Sequence, residues 1–260
     1  MVLNLTDRDQ MKNPFEHYGI QHLSPSSCSL FVASPAMFII QKCMKVKTSV
    51  GPAAHRGTAV ESGIVAGLVD GLPEAECIDI ARRQFASLTA FMSGPKLEKE
   101  EAAIADFVKT GLRELLPYGR PSSTQGRINY EFEGLLVPML GFFDVEWEHH
   151  GILVDIKTTH ALPSKISTNH ARQVALYRAA CGDNLDARVS YVTPKKSATY
   201  VLEDAREHLA ALRLIALTIQ RFLSLSDDPK VLASYVVPDV DTFYFSDPEA
   251  RRATFDIWGM

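Results

Sequence analysis

The spacing of apolar residues changes once along this chain, near residue 128, and that change limits the folds open to it. Before it, the apolar period is helical. After it, Ile128–Val137, Met139–Glu148 and Ile152–Thr158 read as three successive strands, with His149-His150-Gly151 turning the last pair. Helical spacing returns around 169–180, at Val174, Leu176, Tyr177 and Ala180. "ARVSYVT" and "ATYVL" then read as two further strands joined by "PKKS", and a long helix is expected from Asp204 to Leu223. A set of helices, a short sheet, a helix, more strands and a helix describes an α/β domain with a helical N-terminal portion. The change of period separates a helical part, 1–120, from an α/β core, 121–260, and the 260 residues fit one compact domain.

Within the helical part, residues 1–22 read as an irregular lead-in. Ser24-Pro25 and Ser34-Pro35 each set a capping hydroxyl before a proline suited to a first helical turn. In "HRGTAVESGIVAGLVDGL", Val60, Ile64, Val65 and Leu68 form a helix face, and Gly57, Ala59, Gly63 and Gly67 permit close approach of another element. Pro73 opens a helix to about residue 91. "KLEKEEAAIADFVKTGLRELL" forms the next, with Ile104, Phe107, Val108, Leu112 and Leu115 inward. "PYGRPSSTQGR" reads as the loop leading to the strands.

The composition, 46% hydrophobic and 22% charged, is that of an ordinary globular protein. No apolar run reaches the roughly 18 residues of a membrane span, and the charged N-terminus is not a secretory signal. Cys28, Cys43, Cys77 and Cys181 have no metal-finger spacing and read as packed, reduced thiols of a cytoplasmic protein. The net charge of −4 is uneven: residues 157–196 carry seven basic residues against Asp183 and Asp186, giving +5 and leaving −9 elsewhere. That segment reads either as a phosphate-tracking surface or as a solvated face. Arg172, Arg178, Lys195 and Lys196 are its candidate DNA contacts, together with Arg56 upstream.

"VDIKTT", residues 154–159, sets Asp155 and Lys157 on one face of a strand whose Val154 and Ile156 face the other way. Two opposite charges on a core strand are costly unless they pair or hold something. Asp144 ends "LGFFD" on the preceding strand, and in a meander it sits across from Asp155. Two such carboxylates repel each other, and a divalent cation removes the repulsion. Hard oxygen donors suit Mg²⁺ or Mn²⁺, with the Ile156 carbonyl a natural extra ligand. Lys157, about 7 Å along the strand from Asp155, is placed to orient or deprotonate a water, or to balance charge in a phosphodiester transition state. The alternative is a structural ion-pair network.

GxxD (Gly141–Asp144), D-I-K (Asp155–Lys157) and QxxxY (Gln173–Tyr177) in this order resemble the PD-(D/E)xK nuclease superfamily, and more narrowly its RecB-like and phage exonuclease branch. "RGTAVE" is similar to the branch's helix motif, in which a His or Glu four residues after a glycine faces the metal; here that position is Glu61. The motif proline is absent, since Phe143 precedes Asp144. The resemblance implies a restriction-endonuclease-like core, a central mixed sheet flanked by helices. It implies Asp144, Asp155, Glu61 and the Ile156 carbonyl as metal ligands, Lys157 as the catalytic lysine, and Gln173 and Tyr177 as residues beside the site. The implied activity is Mg²⁺-dependent hydrolysis of DNA, most simply by an exonuclease of recombination, repair or phage DNA processing in a bacterial or phage-infected cell. The implied partners are DNA and a single-strand annealing or other recombination protein, with a homo-oligomer compatible and no membrane association. Iron–sulfur members carry a cysteine where Ser34 stands and three more near the C-terminus. No cysteine follows Cys181, so no iron–sulfur cluster is expected.

Other residues keep two readings. His55 is a helix-start residue or a phosphate contact. Glu131 and Glu133 share one face of the first strand and either join the acidic cluster or face solvent. Tyr177 lies near the apolar stripe and is also compatible with plain core. His149-His150 are solvated turn residues. A catalytically silent DNA-binding module and a site-specific endonuclease are the alternative functions.

Overall fold

The computed structural model describes residues 13–182 and 184–260; the first twelve residues of the lead-in and Asp183 lie outside them. Capped prolines start the first helices. Asn13 caps the four-residue α1 (Pro14–His17) inside the expected irregular lead-in. Ser24 and Ser27 form a reciprocal capping box at α2 (Pro25–Ala33). Ser34 accepts the Met37 amide at 3.2 Å at the start of α3 (Pro35–Phe38), which runs into one π-helical turn, Ile39–Cys43. The following helices are α4 (Pro52–Asp70), α5 (Glu74–Leu88) and α6 (Pro95–Leu115).

Among the described residues five strands form one mixed sheet in chain order: β1 (Ser123–Tyr130), β2 (Met139–Trp147), β3 (Ile152–Thr158), β4 (Asp186–Val192) and β5 (Ser197–Val201). β2 and β3 are antiparallel, with Val145 opposite Val154. β3 and β4 are parallel, with Asp155 beside Val189 and Lys157 beside Tyr191. A parallel pair needs a crossover, and α7 (Thr168–Cys181) supplies it. β4 and β5 are antiparallel. After them come α8 (Ala205–Leu223), α9 (Pro229–Ala233) and α10 (Pro248–Trp258). The result is an α/β fold: a mixed sheet flanked by helices, with a helical N-terminal portion.

The first strand differs from the expectation of 128–137. It begins at Ser123, inside the stretch read as a loop, and ends at Tyr130. Phe132 and Val137 are buried, but Gly134, with φ +83°, turns the chain between them. The true strand was hidden by its Ser, Gln and Gly content, which is low in β-propensity. Gly126 is there for close approach: a Cβ on it would lie 2.0 Å from Phe143 Cζ. Glu131 and Glu133 are therefore exposed residues of the segment after β1 and share no strand face.

The chain forms two compact units that interleave in sequence. One comprises the described residues up to Thr48, Tyr130–Leu140 and Ala211–Met260; the other comprises Ser49–Asn129 and Gly141–Ala210. In the first, Ala36, Met37 and Ile40 pack with Phe245, Ala250 and Ala253. Leu23 and Leu140 tie its two early segments, the Leu23 amide donating to the Pro138 carbonyl and the Leu140 amide to the Leu23 carbonyl.

In the second unit α4, α5 and α6 cover one face of the sheet through Val145, Trp147, Val154, Ile156 and Val192. The inward residues expected on α6, Ile104, Phe107, Val108, Leu112 and Leu115, are all buried. The small residues of α4 work by contact. A Cβ on Gly63 would stand 2.6 Å from the Cys77 backbone carbonyl, and one on Gly67 would stand 2.5 Å from Leu112 Cδ2. α7 packs against β4 from the opposite face, where Tyr191 meets its first turn. Three of the four thiols are buried as expected. Cys181 is exposed because it ends α7 at the rim.

Candidate active site

β2 and β3 build the centre of the site. The register that pairs Val145 with Val154 brings Asp144 opposite Asp155 when continued by one residue. Regular pairing stops there because the Asp144 side chain takes the next donor: the Ile156 amide donates to Asp144 Oδ2 at 2.6 Å. Val154 and Ile156 anchor β3 in the core on the other face, so Asp155 and Lys157 are held on the face away from α4–α6.

Asp155 is 1% exposed. Lys157 Nζ lies 2.6 Å from its Oδ2, an ion pair by distance. Neither Asp155 oxygen, both sealed from solvent, receives a hydrogen bond of proper geometry. Orphaned buried oxygens are costly and call for a partner. Burial pushes the Asp144 carboxyl well above the usual carboxylate range, and the charges of Asp155 and Glu61 push it further. Burial also raises Glu61, where hydrogen bonds from Gln125 and with Asp144 work against the rise. At Lys157 burial opposes the ammonium, but Asp155, Asp144 and Glu61 together hold it protonated above its ordinary range. Three acids and one cation in a confined space leave an excess of negative charge, which a divalent cation would relieve.

No group of three or more His, Cys, Asp or Glu side chains among the described residues is gathered as a preformed metal cage. The donor set nevertheless fits Mg²⁺ or Mn²⁺, since Mg²⁺ is commonly held by one or two carboxylates and completes its shell with water and phosphate. Asp155, whose Oδ1 is unpartnered, and Asp144 would be those two carboxylates. Glu61 stands nearby on α4, and its carboxylate accepts from the Gln125 side-chain amide.

On α7, Gln173 and Tyr177 lie on one helix face as their spacing predicts. The Gln173 amide donates to the Tyr177 hydroxyl at 2.5 Å. Tyr177 is almost fully buried; burial first, and the Asp155 charge second, raise its phenol. A Cβ on Gly141 would lie 2.7 Å from Tyr177 Cε1, so the glycine opening the GxxD stretch makes room for this ring.

Arg56 is not placed for the DNA contact expected of it. It is 3% exposed, paired with Glu100 of α6 and stacked 4.5 Å from the Phe107 ring centroid. Its other amino group donates to the Thr158 carbonyl at 3.3 Å and hydroxyl at 3.2 Å, at the end of β3. His160 completes the cluster, 2.9 Å from Glu100 Oε2. Burial opposes ionisation of Glu100, yet the hydrogen bonds from His160 and Arg56 hold its carboxyl below the ordinary value.

Lys195 and Lys196 are exposed on the β4–β5 turn, whereas Arg172 and Arg178 are half-buried on α7. Of the basic segment, Arg188 is paired with Asp186 at 2.6 Å. His55 lies in the first turn of α4, and His149 and His150 are exposed in the turn before β3. Sequence reasoning missed Gln125, Glu100, His160, His170 and Tyr191. Gln125, with φ +54° inside β1, lay in a stretch read as loop. His170 carried a usable signal, being three residues before Gln173 and seven before Tyr177 on the same face. Tyr191 joins the site only through the β3–β4 register.

No family model matches this chain, and no curated protein matches it. Among solved structures it is similar to a crystal structure from Eubacterium rectale described as a "Putative exonuclease", with 14% identity, a TM-score of 0.58, and coverage of 94% of this chain and 92% of the other. That likeness is one of fold. A crystal structure of SSO0001 is also matched, over 72% of this chain and 85% of the other, at 14% identity and a TM-score of 0.33, too low to bear on the fold.

Proposed function

We propose that this protein is a metal-dependent deoxyribonuclease, and that it acts as an exonuclease. The observation that carries the reading is the pair of buried facing acids, Asp144 and Asp155, with Asp155 Oδ1 unpartnered and Oδ2 engaged by the Lys157 ammonium beside it. A fold like that of a protein described as a putative exonuclease supports it. A bound Mg²⁺ would supply Lewis acidity toward a phosphodiester oxygen and an activated water. Asp144 and Asp155 would hold it, and Glu61 would assist from α4. The Ile156 amide keeps Asp144 aimed while its charge is in use. Lys157 offers an ammonium beside Asp155 to orient the attacking water and offset charge growing on the phosphate. Gln173 and Tyr177 support the wall behind the two acids.

The test is digestion of linear and circular duplex DNA with Mg²⁺ or EDTA. Wild type should degrade linear DNA with Mg²⁺ only, and Lys157→Ala should lose about 10²–10⁴ in rate. No metal-dependent digestion by wild type refutes the nuclease reading. Equal loss of circular DNA refutes exonuclease action, and undiminished cleavage by Lys157→Ala removes the lysine's role.

A further inference from the structure

His170 is the third residue of α7, with Ser167 as the helix N-cap. Its Nδ1 lies 2.7 Å from the Tyr191 hydroxyl. Tyr191 is the β4 partner of Lys157, and neighbours in a parallel register stand on the same face of a sheet. His170 therefore reaches the face that displays Asp155 and Lys157, on the side where Gln173 and Tyr177 also point. Tyr191 is itself fixed: its ring meets that of Tyr200 at 6.0 Å, and the Tyr200 hydroxyl donates to the Pro163 carbonyl at 2.7 Å.

The hydrogen bonds around Tyr191 assign the proton on the imidazole. The Tyr191 oxygen already accepts the Ser167 amide at 3.1 Å. A phenol has one proton to give, and the arrangement that gives it a partner here is donation to His170 Nδ1. Nδ1 is then an acceptor, and a neutral ring carries its hydrogen on Nε2. Nε2 has no hydrogen-bond partner among the described residues. Burial, and then the charge of Lys157, lower the imidazole below its ordinary value, as the positive end of a helix also would. An N–H that no protein group engages, on a half-buried ring beside a lysine and a pair of acids, is open to an incoming acceptor.

We infer that His170 is a further substrate-contacting residue of this site, its Nε2–H donating to a non-bridging phosphate oxygen of the strand bound beside Lys157. The inference rests on the nuclease reading above. It excludes a ligand role for His170, because a metal ligand would need Nε2 bare and Nδ1–H directed at Tyr191. The contact is made to a phosphate already charged in the ground state, so it acts on binding more than on the chemical step.

Three measurements on the full chain test it. In the metal-free protein labelled with ¹⁵N-histidine, long-range ¹H–¹⁵N spectra at pH 7.5, with His170 assigned by its loss in His170→Gln, should report the Nε2–H tautomer. The Nδ1–H tautomer overturns the inference whatever the activity. In Mg²⁺ kinetics on linear duplex DNA, His170→Leu should raise KM about 10- to 100-fold with little change in kcat. His170→Gln, whose amide nitrogen reaches as far as Nε2, should stay within a few-fold of wild type. An unchanged KM in His170→Leu, or equal damage in both variants, overturns the inference. Fluorescence anisotropy with a labelled oligonucleotide and Ca²⁺ separates it from the nuclease reading. If wild type binds with Ca²⁺ but does not cut with Mg²⁺, catalysis fails as a reading while the contact is still read from Kd, and an unchanged Kd in His170→Leu then overturns it. Absence of binding by wild type overturns both.

Discussion

Truncating Glu100 should destabilise the protein severely although the residue lies outside the acidic pair. Arg56 and Glu100 side chains are 4% and 11% exposed and form an ion pair, with Arg56 also bonded to Thr158 and flanked by His160. Glu100→Ala would leave a buried guanidinium that has lost its charge partner. Removing one member of such a pair costs about 3–5 kcal/mol, because the survivor keeps its desolvation penalty. At about 2–4 °C per kcal/mol for a chain of this size, the midpoint of thermal unfolding should fall by roughly 6–20 °C. Arg56→Met should cost a similar amount by stranding Glu100. The double variant Arg56→Met/Glu100→Leu removes both charges, and it should recover at least half of either loss, as a double-mutant cycle by circular dichroism would measure. Single losses under about 1 kcal/mol, or a double variant as unstable as the sum of the singles, would refute the argument that desolvation, not attraction alone, governs this cluster. Glu100 also has a pH signature. Its folded pKa is lowered, so its contribution is present above the unfolded value near 4.5 and is lost as pH falls through the folded value.

Asp144 behaves in the opposite sense. Its folded pKa is raised, so the stability it contributes is present below its unfolded value and is lost as pH rises through the folded one. In EDTA, Asp144→Asn should therefore become more stable than wild type as pH rises from about 4 to 8, on the order of 1–3 kcal/mol at the upper end. Thermal melts across that range check it, Mg²⁺ should narrow the gap, and a gap that shrinks with pH in EDTA contradicts the electrostatic account. Gly63→Ala should cost about 1–3 kcal/mol, since its Cβ would meet the Cys77 carbonyl at 2.6 Å and backbone does not yield cheaply. Urea denaturation reads the loss, and an unchanged midpoint would mean that α4 and α5 slide apart freely.

Particular elements separate what the amino-acid order declared from what it hid. α6 was legible because its five inward residues repeat at helical spacing from Ile104 to Leu115, and β3 because Ile152, Val154 and Ile156 alternate with Asp155 and Lys157. β1 was not, because its hydrogen bonding and the ring of Phe143 over Gly126 form the strand in spite of weak local propensity. Asp144, Asp155 and Lys157 could be singled out because charge on an apolar strand is expensive wherever it occurs. Arg56 could not be judged: beside a glycine on a helix it reads as a surface cation until α6 brings Glu100 against it, 44 residues later.

By itself, then, the sequence determined the order of helices and strands, the faces of α4, α6 and β3, and the candidate acids, since periodicity and the cost of buried charge are local properties. The tertiary structure decided the strand order, the pairing of Asp144 with Asp155, the burial of Arg56, and the placing of His170 and Tyr191 beside Lys157. Those depend on register and on contacts between residues far apart in the chain, which no local pattern encodes.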